Sequence, residues 1–321
     1  MASELKHTVK PSGGDYTTLA DAIAHLVASH ADLVSANLYA NIEIDGTWSS
    51  ADTAQVLLSA SILTSATCYL SIYTTAAARF DPHGPWDTGA YILAPNAIAI
   101  STAALGLTGV DYVYVDGLQI TTTNPGSSVR YILSTGSTAR TDNLNETRIS
   151  NCIIKGHGHA TYTHNLVRLN TTNLDFRMWN CIGYNLPAID NNLGVYANMA
   201  SSGTCKISSC TFIGGEYAYD RASGTQTIKN CYGGGSLTAD YYGTMTKTTC
   251  ASSDSTGSTG LQGILVSETA DSTHAGFVSI GAGTEDYHIK TGSPLIGVGT
   301  DTSGDAAPMD FTTDIDGDAR T

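Results

Sequence analysis

The sequence predicts an all-β parallel solenoid closed at its N-terminal end by a helix. Three observations predict it. A short phrase returns four times: Arg-Ile-Ser-Asn-Cys-Ile-Ile at 148–154, Arg-Met-Trp-Asn-Cys-Ile at 177–182, Lys-Ile-Ser-Ser-Cys-Thr-Phe at 206–212 and Thr-Ile-Lys-Asn-Cys-Tyr at 227–232. Its cysteines stand 29, 29 and 21 residues apart, a period that marks stacked repeats. Gly/Ser/Thr/Asn clusters separate the copies from second strand-like stretches at 166–169, 194–196 and 217–219. Strand, turn, strand, turn at this period closes one coil, and coils stack about 4.8 Å apart. An antiparallel sandwich would explain the strand richness. It would not explain the recurring Asn-Cys.

Taken in chain order, residues 9–30 differ from the rest. Ser12, Gly13, Gly14 and Asp15 form a turn, and Leu19, Ile23, Leu26 and Val27 then recur at helical spacing. Asp15, Thr17 and Thr18 are candidate N-caps. A helix here would cover the open end of the stack, where unpaired strand edges invite aggregation. Strand-like stretches follow at 41–44, 70–73, 91–93 and 97–101. In the repeat itself, Asn151 is a pivot: Ile149 points inward before it, and Cys152 and Ile154 point inward after it. The bend needs a left-handed residue, and Asn is the best choice after glycine. Gly117 replaces it upstream, between Val115 and Leu118. Ser209 departs from the pattern, so the third copy is expected to be less regular. After Cys231 the regularity fades into a polar loop at 252–260, late strands at 277–280 and 287–289, and an aspartate-rich tail at 301–321. The expectation is one domain over 1–321, with a cap at 9–30, coils over 31–290, and a C-terminal coil and tail over 291–321.

Composition narrows the function. Only 14% of residues are charged, which disfavours long helices with ion-paired faces. Lys and Arg total 15 and the net charge is −14, which argues against nucleic acid and disfavours polyanionic substrates. Neutral glycans remain compatible. No segment is apolar enough to span a membrane, so no membrane insertion is expected. Residues 1–7 hold no apolar signal core, which implies cytosolic synthesis or a lost signal. The seven cysteines are expected to be mostly free thiols, four of them buried on the inward ladder. Asn145 and Asn170 open tripeptides that fit glycosylation acceptors.

Residues 9–23, from Val9-Lys10-Pro11-Ser12-Gly13-Gly14-Asp15-Tyr16 through Ile23, resemble the N-terminal cap of the pectate-lyase-like β-helix superfamily. Asp286-Tyr287-His288-Ile289-Lys290, Gly292-Ser293-Pro294-Leu295 and the later Asp314-Ile315-Asp316-Gly317-Asp318-Ala319-Arg320 look like its common C-terminal coil. The resemblance implies a right-handed parallel β-helix over nearly the whole chain. It implies little about activity, because that superfamily holds lyases, hydrolases, esterases, phage tail proteins and adhesins. The Thr/Ser/Gly-rich style resembles phage or prophage tail-associated β-helices, with an extracellular or virion-associated setting.

Four constellations could carry chemistry. Arg79, Asp81, His83, Trp86 and Asp87 lie within one turn-rich stretch with Phe80. An aromatic face stacks on sugar C–H groups while carboxylates bind hydroxyls. The structural alternative has Phe80 and Trp86 packed on the solenoid wall. His157, His159 and His164, with Arg168 after them, could transfer protons or bind metal. Residues 152–158 are similar to the Gly-His-Gly motif of polygalacturonase-type hydrolases, but that family's Asp-Asp pair and Arg-x-Lys are missing from this chain. Asp175, Asp190, Glu216 and Asp220, with Arg221, could supply paired carboxylates on later coils. Asp314, Asp316 and Asp318 have oxygen-rich spacing, so calcium is the one cofactor left open. The leading expectation is a module that interacts with a polysaccharide or surface glycan without strong catalysis. A lyase or glycoside hydrolase working in an outer groove is the alternative, and a structural spacer the third. A homotrimer is left open.

Overall fold

The bend inside each Asn-Cys phrase is the unit from which the fold is built. The computed structural model describes residues 1–58, 62–80, 86–96, 103–123, 130–136, 145–157, 164–171, 174–200 and 202–311. In it Asn151 and Asn180 both have φ of 51°, Ser209 and Asn230 54°, and Gly117 78°. Ser209 therefore makes the same left-handed bend as its neighbours, and its copy is as regular as theirs. A fifth pivot, Thr249 at φ 49°, precedes Cys250. The stack thus runs one coil beyond the last expected copy.

At each bend the chain leaves one sheet and enters another. Three parallel sheets result, so a regular coil holds three strands rather than two. The repeat phrase is itself two strands, because the pivot resets which side chains face inward. The first sheet has nine strands, from Ser3–Val9 and Leu38–Ile44 through Asn145–Ser150 and Leu174–Trp179 to Thr246–Thr248. The second has seven, including Gln119–Ile120, Ile153–Lys155 and Ile182–Leu186. The third also has seven, including Arg130–Thr135, His164–Leu169, Leu193–Asn198, Tyr217–Ser223 and Ala239–Tyr242. Successive strands of each sheet come from successive coils, and every pairing within these three sheets is parallel. The fold is a right-handed parallel β-helix. Parallel stacking ends at Ala251–Ser252, short of the expected boundary at 290; beyond it lie two antiparallel pairs, Ala270–Asp271 with His274–Ala275 and Phe277–Ser279 with Asp286–Ile289.

The backbone ladder continues through the bends. Asn151 N–H donates to Trp179 O at 3.2 Å, Asn180 N–H to Ser208 O at 3.3 Å and Ser209 N–H to Lys229 O at 2.9 Å. Side chains add a second ladder: Asn180 Nδ2 donates to Asn151 Oδ1 at 3.2 Å, and Asn151 Nδ2 to Asp116 Oδ1 at 2.5 Å. Just past each pivot sits a cysteine with its thiol turned back. Cys152, Cys181, Cys210 and Cys231 donate to the carbonyls of Ser150, Trp179, Ser208 and Lys229 at 3.0–3.3 Å. All seven cysteines are buried and free. Burial pushes the Cys181 and Cys231 thiols far up, so they behave as small apolar groups. Tyr219 and Tyr241, inward on the third sheet, stack at 4.9 Å and donate their hydroxyls to Cys210 O and Cys231 O.

The N-terminal cap is a helix, Leu19–His30. Of the three candidate N-caps Thr18 serves, its hydroxyl accepting from Asp21 N–H at 3.1 Å; Asp15 instead accepts from Thr8 N–H. Leu19, Ala22, Ile23 and Leu26 are buried in the same core as the first coils, while Val27 is only half-buried. Buried Asp52 locks the cap down, accepting from Leu19 N–H at 2.8 Å and Tyr91 O–H at 2.9 Å.

Removing a pivot side chain costs both the left-handed preference of Asn and its stacking bond. Asn180→Ala is expected to lower stability by about 1–3 kcal/mol, read as a shifted denaturant midpoint. Asn180→Gly should cost less, since glycine takes this backbone without steric penalty. Equal midpoints for wild type and Asn180→Ala would contradict the role given to the bend.

Candidate functional site

The outer face of the second sheet is apolar, and two separate segments cover it. Ile153, Ile182, Tyr184, Ile213 and Tyr232 are buried there outside the main core. Phe80, Ala90 and Trp86 cover one end; Ile264, Phe277 and Tyr287 cover the other. Rings mark the second cover: Tyr184 lies 5.1 Å from Tyr287, and Tyr232 5.4 Å from Phe277. Between the covers an open cleft of about 320 Å³ remains, lined by Trp86, Thr121, Thr122, Thr123, Lys155, Gly156, His157 and Asn185.

Lys155 is the hinge of this cleft. It ends the strand Ile153–Lys155, and its ammonium lies 5.6 Å from the Trp86 ring centre and 5.4 Å from that of Tyr184. On the far side it reaches Glu285 Oε2 at 3.4 Å. One cation thus joins the two covers through an aromatic face and a carboxylate. The floor is fixed by main-chain contacts. Thr121 Oγ1 donates to Lys155 O at 2.9 Å, and Asn185 Nδ2 donates to Gly156 O at 2.8 Å. Glycine is required at 156, since a Cβ there would come within 2.6 Å of Asn185 O. His157 Nδ1 and the Tyr184 hydroxyl are buried without a hydrogen-bond partner among the described residues. Burial, then the charge of Glu285, pushes the Tyr184 phenol well up.

The fold therefore joins one member each of two constellations that lie about seventy residues apart in the chain, Trp86 and His157. It disperses their companions. Arg79 forms an ion pair with Asp116 and donates from Nε to Thr74 Oγ1 at 3.2 Å, so it braces the bend at Gly117 rather than facing the cleft. Asp87 shapes its own loop: its N–H and C=O bond the Gln119 amide at 2.8 Å each, and its carboxylate accepts from Gly89 N–H at 2.7 Å. Asp81, His83 and His159 lie outside the described residues, as do Asp314, Asp316 and Asp318. Among the described residues no group of three or more His, Cys, Asp or Glu could hold a metal ion. His164 belongs to the third sheet, is only 1% exposed, and its N–H donates to Asn192 Oδ1. Arg168 faces outward on that sheet with its guanidinium 4.3 Å from the Tyr131 ring centre.

The acidic positions also separate. Asp175 is on the first sheet, held by Arg177 Nη2 at 2.7 Å and Thr204 Oγ1 at 2.8 Å. Burial pushes its carboxyl up, but these bonds outweigh burial and hold it below the usual range. Asp190 is exposed in a turn. Glu216 accepts from Asn191 N–H at 2.6 Å, and Arg221 donates to Gly224 O at 2.7 Å. Asp220 differs from all of these. It is 7% exposed, its Oδ1 has no hydrogen-bond partner among the described residues, and burial followed by the charge of Glu216 pushes it up to about 6. Lys155 and the orphaned Tyr184 hydroxyl carry no special sequence signal. The apolar, tyrosine-bearing outer face of the second sheet is the only hint of covers above it.

No protein-family model matches the chain, and no curated protein matches it. Two solved structures are similar in fold. Pectate lyase Pel9A superposes with a TM-score of 0.43 at 10% identity, covering 100% of this chain and 97% of that one. The pectin methylesterase from Aspergillus niger gives 0.37 at 12% identity, covering 84% of this chain and 93% of its own.

Asp220 makes stability depend on pH in a defined direction. Its carboxyl is raised in the folded state, so its contribution is fully present below the unfolded value near 3.8 and is lost as pH rises through about 6. Asp220→Asn should remove that slope, gaining on wild type in thermal midpoint between about pH 4 and pH 6.5. Parallel wild-type and variant curves over this window would contradict the assignment.

Proposed function

We propose that this chain is a glycan-interacting β-helix module, virion- or cell-surface-associated and of phage-tail type, that seats a saccharide in the cleft between the two covers of the second sheet. The observation that carries the reading is the convergence of Trp86, Lys155 and His157 in one open cleft. A half-buried indole offers a face to sugar C–H groups. Three threonines, an asparagine amide and an imidazole nitrogen with no hydrogen-bond partner among the described residues surround it. Such a wall of hydroxyl, amide and ring nitrogen groups suits sugar hydroxyls. The low charge of the whole chain, 14%, agrees with an uncharged polar ligand.

A second reading is catalytic, a polysaccharide lyase or glycoside hydrolase acting in this outer groove. His157 favours it, because its buried ring nitrogen has no hydrogen-bond partner among the described residues, and histidine is the side chain most often used in general acid–base catalysis. The paired carboxylates that glycoside hydrolysis uses are not among the described residues lining the cleft.

Glycan-array binding with product detection separates the readings. Trp86→Ala should weaken binding about tenfold, equivalent to about 1.4 kcal/mol, with the fold intact by circular dichroism. Unchanged affinity for every glycan that wild type binds would remove the anchor. His157→Ala should weaken binding less than Trp86→Ala does, by about threefold. If wild type releases product and His157→Ala does not, the catalytic reading replaces the binding one. No glycan binding by wild type would leave a structural spacer.

A further inference from the structure

A second feature lies on the third sheet, apart from the cleft. Its outward row reads Arg168, Tyr196, Asp220, Tyr242 across four consecutive coils in register. The inward neighbours fix this direction: Val167, Val195, Tyr219 and Tyr241 are buried in the core. Asp220 therefore points outward, yet its side chain is almost wholly covered. Tyr217 and Tyr242 stack at 4.2 Å with 13° between their planes, and Tyr242 stays 50% exposed.

A covered carboxyl with one oxygen unanswered destabilises a protein. Every other acidic candidate that is not simply exposed has a partner that accounts for it. Asp220 has none among the described residues, and it lies between Tyr196 and Tyr242, one strand spacing from each, so the two tyrosines stand about 10 Å apart along the row. We propose that this row is a second saccharide-binding strip, in which Asp220 bonds ligand hydroxyls and Tyr242 with Tyr217 provides the stacking face. The ligand class is a neutral oligosaccharide. Arg168 in the same row opposes a cationic ligand, while Asp220 and Glu216 oppose an anionic one. A protonated carboxyl both donates and accepts, which matches the two roles of a sugar hydroxyl. The site stands independently of the cleft.

The proposal carries a pH signature. The groups around Asp220 are Glu216 and Tyr217 before it, Tyr196 on the preceding coil, Tyr242 on the following coil and Arg168 beyond Tyr196; Arg221 is engaged with Gly224. A neutral ligand that covers Asp220 further removes it from water, and so favours the protonated form. Affinity should then fall as pH rises through about 6.

The test is titration calorimetry of the full chain carrying Trp86→Ala, which disables the cleft. The probes are maltotetraose, cellotetraose, laminaritetraose and N-acetylchitotetraose, with fully deacetylated chitotetraose as the cationic control, at pH 5.0 and 7.5. The expected result is binding of a neutral probe that weakens at least fivefold between the two pH values. Asp220→Ala and, separately, Tyr242→Ala should each cost at least tenfold at pH 5.0. Asp220→Asn, which keeps donor and acceptor, should bind within about threefold of its parent and lose the pH dependence. Tyr242 is half exposed, so its variant keeps the test valid if Asp220→Ala fails to fold. No binding of any neutral probe would overturn the proposal, as would unchanged affinity in Tyr242→Ala. Preference for the deacetylated probe with affinity rising with pH would also overturn it, marking a cation site instead.

Discussion

Everything in this structure depends on one left-handed residue per coil. A parallel stack must turn the chain sharply between its first and second sheets without leaving a backbone group unpaired in the interior. The bend at Asn151, Asn180, Ser209 and Asn230 meets both demands. Its N–H bonds the carbonyl of the next coil, so the ladder does not break at the corner. The left-handed backbone costs a non-glycine residue roughly 1–2 kcal/mol. The amide ladder of Asn180, Asn151 and Asp116 offsets part of this. Immediately inside the corner, Leu118 fills the position after Gly117 and cysteine fills it on the later coils. The cysteine thiol returns a weak hydrogen bond to the carbonyl just before the bend.

The corner also decides where chemistry can lie. Resetting the alternation at each pivot sends Ile153, Ile182 and Tyr184 outward on the second sheet, so that this face is apolar. An apolar outer face has to be covered, and here the cover arrives in two pieces, one with Phe80, Trp86 and Ala90 and the other with Ile264, Phe277 and Tyr287. The gap between them is the cleft. On the third sheet the outward row stays open at Tyr242. Two kinds of surface follow from one geometric device: a roofed sheet with a gap, and an open strip of tyrosines.

This explains which parts were legible in the sequence. The repeat, the pivots and the buried cysteines were, because period and left-handed preference are local properties. Ser209 and Thr249 were not, since neither is a favoured left-handed residue and the stack holds them in place from both sides. The three-strand coil was hidden for a different reason: the local pattern marks the pivot but does not say that the strands on its two sides join different sheets. For the site, Trp86 and His157 stood out by type, but their meeting depends on which coils carry them. Arg79 also stood out, yet its partner Asp116 sits at the next corner, a pairing no local pattern announces.

A rule for reading charged side chains on such a stack follows. A coil offers each side chain partners one step up and one step down. Arg79 finds Asp116, Asp175 finds Thr204 on the next coil, and Lys155 finds Glu285 in the far cover. Groups answered in this way are accounted for by folding alone. His157 Nδ1 and Asp220 Oδ1 are not answered among the described residues, although both are covered. Folding gains nothing from either in that state, since a buried polar atom without a partner opposes it by about 1–3 kcal/mol. What distinguishes the two positions is their surroundings: His157 lines the same cleft as Trp86, and Asp220 is the register neighbour of Tyr242 on the next coil. A polar atom left unpaired beside an aromatic plane is the arrangement a sugar ring completes, because it brings hydroxyls and a C–H face together. Among the candidate residues read from the sequence, this test leaves His157 and Asp220, on which the two proposed saccharide sites rest.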